Sequence, residues 1–243
     1  MLEAINLTKR YEDGELALDG LTFKVEPGEI FCMFGANGAG KTTTINLFLN
    51  FIPPTAGQAL IEGIDVGKEP LKAKKHVSFV SENVMLYGNF TAVQNLDYFS
   101  RLAGKRNLTK KDYAEILGRV GLQKEAFDRR VKNFSKGMRQ KLGIAIAVAK
   151  DAPNVLLDEP TSGLDPKSGR EFLEILVQMR DAGKSIFMST HDIFRAKLMA
   201  DRIGFMRKGK LVMLKTAKEL GQDDLTDLYI KYMEEHPGTV AAV

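Results

Sequence analysis

The hydrophobic and polar positions of the chain change their period twice, and this divides the chain into three parts. In the first part, short apolar or alternating runs are separated by turns rich in glycine and proline, a pattern that is typical of β-strands. The predicted strands are residues 2–7, 21–25, 30–34, 58–62 and 76–80. A glycine-rich loop follows the third strand, and the apolar residues after it predict a helix.

From about residue 83 to residue 150, the apolar residues recur at helical spacing. Thr91 precedes Ala-Val-Gln, a capping-box sequence that predicts a helix to about Leu102. Thr109 caps a second predicted helix, and Ser135 caps a third that runs to about Lys150. The second part is therefore predicted to be an all-helical subdomain inserted between two α/β parts.

The α/β pattern returns in the third part. Apolar runs predict strands at 155–157, 186–189 and 203–206, and a hairpin at 208–210. Asp165-Pro166 opens a helix, because aspartate caps a helix and proline suits its first position, and Gly183 ends it. A last apolar stripe predicts a helix from about Asp223. We therefore expect one domain at 1–219, followed by a C-terminal helix and tail at 220–243.

The composition narrows the class of protein. Of the 243 residues, 44% are hydrophobic, which suits a substantial core, and the apolar runs fall short of the roughly 20 residues that span a bilayer. The net charge of +4, from 35 basic and 31 acidic residues, is too small to indicate nucleic-acid binding. The single cysteine, Cys32, is expected to be a core thiol. Since the sequence shows no signal peptide, we expect a cytosolic protein.

The glycine-rich loop carries the first candidate chemistry. It fits G-x-x-x-x-G-K-[ST], the phosphate-binding P-loop, and has the required strand before it and helix after it. Its glycines allow several N–H groups to point at one anion, while Lys41 would reach the outer phosphates and Thr42 would ligate Mg²⁺. A nucleoside triphosphate is therefore expected to bind at Gly35, Ala36, Asn37, Gly38, Ala39, Gly40, Lys41, Thr42 and Thr43.

Two adjacent acids follow the apolar run at 155–157. Asp158 ends a predicted buried strand, where its carboxylate could hold the Mg²⁺ shell through water. Glu159 is placed to orient or deprotonate an attacking water, and the alternative is a solvated acid at the end of the strand. This pair favours ATP hydrolysis over the other functions of P-loop proteins.

The start of the third helix is another candidate anion site. Ser135 caps the helix and Gly137 lies in its first turn, so this end presents a hydroxyl and free N–H groups. Because the segment 134–138 stands shortly before the strand with the two acids, it resembles the signature motif of ATP-binding-cassette (ABC) ATPases.

The resemblance to ABC ATPases covers about residues 2–215, with seven motifs in the order of the family. It implies a P-loop NTPase core with a mostly parallel sheet, an antiparallel β subdomain and an inserted all-helical subdomain. It also implies that Tyr11 stacks on adenine, that Glu82 lies in the loop joining the core to the helical lobe, and that His191 is the switch histidine at the γ-phosphate. The remaining matches are the Walker A loop (35–42), the signature (134–138), the Walker B strand (154–159) and the D-loop (162–165).

Two motifs depart from the usual form of the family. Glu82 stands where glutamine is common, and we expect its carboxylate to bind Mg²⁺ in place of the amide. The signature at 134–138 reads Phe-Ser-Lys-Gly-Met where Leu-Ser-Gly-Gly-Gln is commoner, and Met138 removes an amide contact. Both departures resemble those of bacterial ATPases that serve multidrug, lantibiotic or sodium efflux.

The resemblance also implies partners. Each ATP would lie between the Walker A loop of one chain and the signature of another, in a head-to-tail homodimer or paralogous heterodimer. A separate transmembrane permease subunit would hold the protein at the inner, cytoplasmic face of the membrane, and no nucleic acid is expected. We therefore predict the ATPase subunit of an ABC transporter, an exporter, with ATP and Mg²⁺ as cofactors. The alternative is a soluble ABC ATPase that acts on nucleic acid, ribosomes or a protein assembly.

Overall fold

The computed structural model describes residues 1–216 and 218–219, and its strands form two sheets. The smaller sheet is antiparallel, with β1 (Leu2–Arg10), β2 (Leu16–Val25), β4 (Ala56–Ile61) and β5 (Ile64–Asp65) in the order β2-β1-β4-β5. The larger sheet contains β3 (Ile30–Phe34), β6 (Val77–Val80), β7 (Asn154–Asp158), β8 (Ser185–Thr190), β9 (Arg202–Arg207) and β10 (Lys210–Thr216). Its order is β10-β9-β3-β8-β7-β6, and only the β9–β10 hairpin is antiparallel. The predicted α/β class, with a mostly parallel sheet and a separate antiparallel one, is confirmed.

Helices lie between the strands of the larger sheet in the sequence. They are α1 (Lys41–Phe48), α2 (Pro70–Lys74), α3 (Ala92–Leu102), α4 (Lys110–Arg119), α5 (Lys136–Lys150), α6 (Pro166–Asp181) and α7 (Ile193–Met199). Between β6 and β7 the chain forms α3, α4, two short 3-10 turns and α5, and the three α-helices are those predicted from Thr91, Thr109 and Ser135. Among the helices of the described ranges, none is long and apolar enough to cross a membrane.

The starts of the predicted helices are set by local hydrogen bonds. The Thr91 hydroxyl accepts from the amide of Gln94 at 3.2 Å, while the Gln94 side chain accepts from the amide of Thr91 at 2.9 Å. Thr109 and Asp112 form the same capping box at α4. Asp165 accepts from two amides at the start of α6, and its hydrogen bonds with Ser168 lower the pKa of this carboxyl. The helix starts predicted from Thr91, Thr109 and Asp165 are confirmed.

The central strand β3 is buried on both faces. Side chains alternate across a strand, so β3 supplies two separate cores. Phe31 stacks on Phe23 of the small sheet with ring centroids 5.2 Å apart, and on Phe187 of β8 at 5.9 Å, which joins the two sheets. On the other face lies Cys32, whose thiol pKa is raised by burial, as expected of a core thiol.

Helix α5 is the last helix before β7 and packs on one face of the larger sheet. It packs closely on the end of β6, since a Cβ at Gly143 would lie 3.3 Å from Val80 Cγ1. At its C-terminal end, Lys150 Nζ donates to the carbonyl oxygens of Lys74 at 2.8 Å and Val77 at 2.5 Å. Burial lowers the pKa of Lys150. The C-terminal end of α5 is therefore fixed to the end of α2 and the start of β6.

Three elements were not predicted. The helices α2 and α7 have five and seven residues, too short for a clear helical stripe. In α7 the apolar residues also do not fall on one helical face, because Phe194 and Leu198 are exposed apolar residues outside the buried face. The strand β5 has two residues, and β2 begins earlier than predicted, at Leu16. The predicted C-terminal helix from Asp223 lies outside the described residues.

Candidate nucleotide-binding site

The candidate site lies at one edge of the larger sheet. The strands β3, β8, β7 and β6 are parallel neighbours, so the loops that follow them meet at their shared carboxyl edge. The P-loop follows β3, Glu82 follows β6, Glu159 follows β7 and His191 follows β8. Segments that are far apart in the sequence are thus brought together.

The conformation of the P-loop requires glycine at two positions. Gly40 has φ +107°, and a Cβ there would lie 2.6 Å from the carbonyl oxygen of Ala17. A Cβ on Gly35 would lie 2.5 Å from the carbonyl oxygen of Met206. Any side chain at either position would therefore displace the neighbouring backbone.

The N-terminus of α1 is suited to an anion. Its N-cap, Gly40, makes no side-chain capping bond, and the first turn carries no acidic residue. The side chain of Lys41 is only 6% exposed, and its Nζ donates to the carbonyl oxygens of Gly35 at 2.7 Å and Ala36 at 3.2 Å. The uncapped N–H groups and the ammonium supply the donors and the charge that phosphate oxygens require.

Asp158 is held by two hydroxyls. Ser189 Oγ donates to Asp158 Oδ1 at 2.6 Å, and Thr42 Oγ1 donates to the same oxygen at 3.2 Å. The sequence interpretation missed Ser189, because a serine within an apolar strand carries no pattern that points to a partner on the adjacent strand. Thr42 and Asp158, which were predicted as Mg²⁺ ligands, therefore lie side by side.

Glu159 stands in a constrained position next to these residues. Its φ is +44°, and its amide donates to Ser189 Oγ at 3.0 Å and to the Ser189 carbonyl at 3.2 Å. One carboxylate oxygen lies 3.5 Å from Lys41 Nζ, and the other lies 2.8 Å from His191 Nδ1. Since a carboxylate can only accept, the imidazole nitrogen donates in this bond. The three residues predicted to be catalytic, Lys41, Glu159 and His191, are thus in contact.

A cleft of about 230 Å³ opens beside these groups. Tyr11 lies on one side, with its hydroxyl 3.5 Å from Thr43 Oγ1, and Glu82 lies on another. The remaining lining residues are Glu15, Ala17, Asn37, Gly38, Ala39, Gly40, Lys41, Thr42 and Glu159. One cleft is thus shared by the P-loop, by Tyr11 as the predicted adenine-stacking residue, and by the predicted acids Glu82 and Glu159.

The signature residues Ser135 and Gly137 lie at the start of α5, outside the cleft. Ser135 caps α5 by accepting from the amide of Met138 at 3.2 Å. A Cβ on Gly137 would lie 3.5–3.6 Å from Ser168 and Leu164, so this glycine packs at the start of α6. Within the described part of the chain, Ser135 and Gly137 do not line the cleft.

The oxygen donors at the cleft suit Mg²⁺, a cation that proteins hold with few side chains and that substrate phosphates and waters also coordinate. Among the described residues there is no group of three or more histidine, cysteine or acidic side chains that could hold a metal. Mg²⁺ commonly takes one or two carboxylates, substrate phosphates and waters, and the Thr42 hydroxyl with the Asp158 carboxylate fits that set.

The fold and the cleft define a P-loop nucleotide-binding protein. The ABC transporter family model matches residues 18–162, more than half of the chain. The chain is 37% identical over its whole length to the uncharacterised ABC transporter ATP-binding protein YhcH of Bacillus subtilis, covering 78% of it. It is 34% identical to the daunorubicin/doxorubicin resistance ATP-binding protein DrrA of Streptomyces peucetius, covering 90% of this chain and 66% of the relative.

Solved structures agree with this match. A dimeric bacterial ABC transporter cassette is similar with a TM-score of 0.80 and 26% identity, over 89% of this chain and 99% of that one. A post-hydrolysis dimer of the same cassette, bound to ADP and Pi, matches equally well. The chain belongs to the ABC transporter ATP-binding family, and it is an ATP-hydrolysing subunit of this kind.

Proposed function

We propose that the chain powers export through a separate transmembrane permease subunit, by ATP-dependent head-to-tail pairing with a second ATP-binding subunit. The observation that carries the proposal is the contact of Lys41, Glu159 and His191 beside a P-loop whose cleft lacks signature residues within the described chain. Export is favoured because DrrA and the linearmycin resistance protein LnrL of Bacillus subtilis are named as resistance ATP-binding proteins. The subunit would lie at the cytoplasmic face of the membrane.

The residues of the cleft divide the chemistry among them. Lys41 and the loop amides bind the β- and γ-phosphates, and Tyr11 stacks on the adenine. Thr42, Asp158 and Glu82 would hold Mg²⁺, which would offset the negative charge of the phosphates. Glu159 accepts a proton from the attacking water, and His191 positions the Glu159 carboxylate, as their 2.8 Å contact suggests.

Nucleotide binding would rearrange the contacts of Lys41. Its ammonium now pairs with two loop carbonyls and lies 3.5 Å from Glu159. Phosphate oxygens would compete for the ammonium, which would leave the Glu159 carboxylate free to accept from water.

A second chain would complete the site. The P-loop amides and Lys41 would bind one side of the triphosphate, and Ser135 and Gly137 at the start of α5 offer donors that could cover the other. In this arrangement ATP joins two subunits, and its hydrolysis separates them. We also propose that residues 1–219 form the ABC ATPase domain, with a helical subdomain at about 83–150.

The helical part offers a surface for the permease. A groove of about 640 Å³ is lined by Phe90, Tyr98 and Leu102, with Asp97, Arg101 and Arg106 beside them. Next to it, Tyr87 packs against Phe90 and Tyr98 while remaining 47% exposed. An exposed aromatic cluster bordered by charges is typical of a protein interface. We assign this groove to a cytoplasmic segment of the permease.

Replacing the proposed base tests the function. Glu159→Gln is expected to retain ATP binding and to accumulate an ATP-bound dimer, visible by size-exclusion chromatography with ATP and Mg²⁺. Lys41→Ala is the matched control and should neither bind nucleotide nor dimerise. Hydrolysis by Glu159→Gln at the rate of the unchanged protein would show that Glu159 is not the base. The alternative, a soluble ABC ATPase acting on nucleic acid, ribosomes or a protein assembly, is not favoured by relatives that are named as transporter or resistance ATP-binding proteins.

A further inference from the structure

Glu82 and Lys136 form an ion pair between the loop after β6 and the first residue of α5. Glu82 Oε1 lies 3.7 Å from Lys136 Nζ, and the two side chains are 43% and 37% exposed. Glu82 also lines the nucleotide cleft with Lys41 and Thr42. Its carboxylate therefore stands between the cleft and the signature helix.

Lys136 occupies an electrostatically unfavourable position. The first turn of α5 contains Lys136 and Arg139 and no acidic residue. Because the N-terminus of a helix carries partial positive charge, cations in the first turn are disfavoured there. Both side chains border a cavity of about 290 Å³ that Glu82 and the buried Gln140 also line. In the free chain, Glu82 supplies negative charge beside this helix end.

Glu82 can change its partner without movement of its backbone. Gln140, which is 1% exposed, donates from Nε2 to the carbonyl oxygen of Glu82 at 2.7 Å. This bond ties the loop to α5, whereas the Glu82 side chain is partly exposed and can rotate. The ion pair is exposed and long, so breaking it changes an equilibrium by a factor of about two to five at most.

We propose that Glu82 exchanges Lys136 for Mg²⁺ when nucleotide binds, and that the released Lys136 contacts the phosphates of the nucleotide in the partner chain's site. This inference rests on the proposed head-to-tail dimer. A glutamine at position 82 could not form the ion pair, so the exchange requires both the acid at position 82 and the lysine at position 136. Occupation of a chain's own P-loop thereby prepares its signature to complete the partner's site.

The first test measures the binding of a non-hydrolysable ATP analogue to the full chain by calorimetry, at concentrations below dimerisation. Lys136→Met should raise affinity about two- to five-fold in Mg²⁺, because Glu82 no longer has to leave a partner, and should have no effect in EDTA. In a Glu82→Gln background, Lys136→Met should have no effect. A gain of equal size with and without Mg²⁺, or one that persists in Glu82→Gln, would overturn the exchange.

A matched control removes a comparable exposed pair away from the cleft. Lys72 of α2 lies 3.1 Å from Glu69 at the N-cap of that helix, with side chains 59% and 53% exposed. Lys72→Met should change affinity in neither condition. A Mg²⁺-dependent gain in this variant would show that the effect of Lys136→Met reflects net charge, which would also overturn the exchange.

The second test uses the ATP-bound dimer of Glu159→Gln, followed by sedimentation. Adding Lys136→Met should weaken the dimer by about tenfold or more, since a charged hydrogen bond is lost, while Lys136→Arg should retain it. Equal dimerisation with and without Lys136→Met would overturn the inference and leave the proposed function standing. If Glu159→Gln itself forms no dimer with ATP, the proposed function fails, and the inference fails with it.

Discussion

Replacing Ser189 by alanine tests whether one hydroxyl holds both acids of the site. Its side chain is fully buried; Oγ donates to Asp158 at 2.6 Å and accepts from the Glu159 amide at 3.0 Å. A hydrogen bond to a charged group contributes about 1.5–3 kcal/mol and a neutral one about 1 kcal/mol. In Ser189→Ala the Glu159 amide would keep its hydrogen bond to the carbonyl of residue 189, so only part of the neutral hydrogen-bond energy would be lost. We expect Ser189→Ala to lower the free energy of unfolding by about 2–3 kcal/mol.

Ser185, on the same strand, provides the matched control. It is 1% exposed, and its buried hydroxyl has no hydrogen-bond partner among the described residues. Ser185→Ala should therefore leave the free energy of unfolding unchanged or slightly raised, because it removes an unsatisfied polar group. Urea unfolding followed by circular dichroism measures both variants. Equal losses of stability in the two would refute the reasoning.

The same variant should also affect binding through Asp158. Groups that orient a metal ligand typically contribute 10- to 100-fold to metal affinity, so we expect Ser189→Ala to weaken ATP binding about tenfold in Mg²⁺. Calorimetry in EDTA should show little change. Equal weakening in both conditions would mean that Ser189 acts on the P-loop rather than through Asp158.

Three further predictions follow from other parts of the structure. Gly40→Ala should destabilise the protein by at least about 2 kcal/mol and abolish nucleotide binding, because φ +107° and the close Ala17 carbonyl exclude a Cβ; urea unfolding and calorimetry measure the two effects. Burial and the hydrogen bond to Asp97 raise the pKa of Tyr113 to about 12. Because the folded protein holds this proton more tightly than the unfolded chain does, the protonated phenol stabilises the fold. That contribution is complete below the unfolded pKa of about 10 and is lost as the pH rises toward 12. The Tm of Tyr113→Phe should therefore fall less over this pH range than the Tm of the unchanged protein. Ser135→Arg should leave ATP binding intact but prevent the ATP-dependent dimer, and a normal dimer on size-exclusion chromatography would contradict the role of the signature.

The helix starts and the central strands could be predicted because their causes are local. A capping box such as Thr91 with Gln94 is completed within four residues, and β3 is a continuous apolar run because both of its faces are buried. The parallel order of the strands then brings the P-loop, Glu82, Glu159 and His191 to one edge. The roles assigned to these residues stay predictions.

The features that were missed depend on contacts between distant segments. Ser189 meets Asp158 only because β7 and β8 pair in register, which no local pattern of residues encodes. The pairing of Glu82 with Lys136 likewise joins a loop and a helix more than 50 residues apart. The sequence predicts Glu82 as a Mg²⁺ ligand in the loop that joins the core to the helical lobe, but nothing in it marks Lys136 as the partner of Glu82.

The anchoring of α5 gives that helix the properties of a lever. Its C-terminal end is held by the bonds of Lys150 to Lys74 and Val77, whereas Ser135 stands at the opposite end. The 15 residues of α5 make an arm of about 22 Å, so a tilt of about 10° at the anchored end would carry Ser135 by about 4 Å. A small rotation near Lys150 would thereby become a larger displacement where two subunits would meet, in proportion to the length of α5.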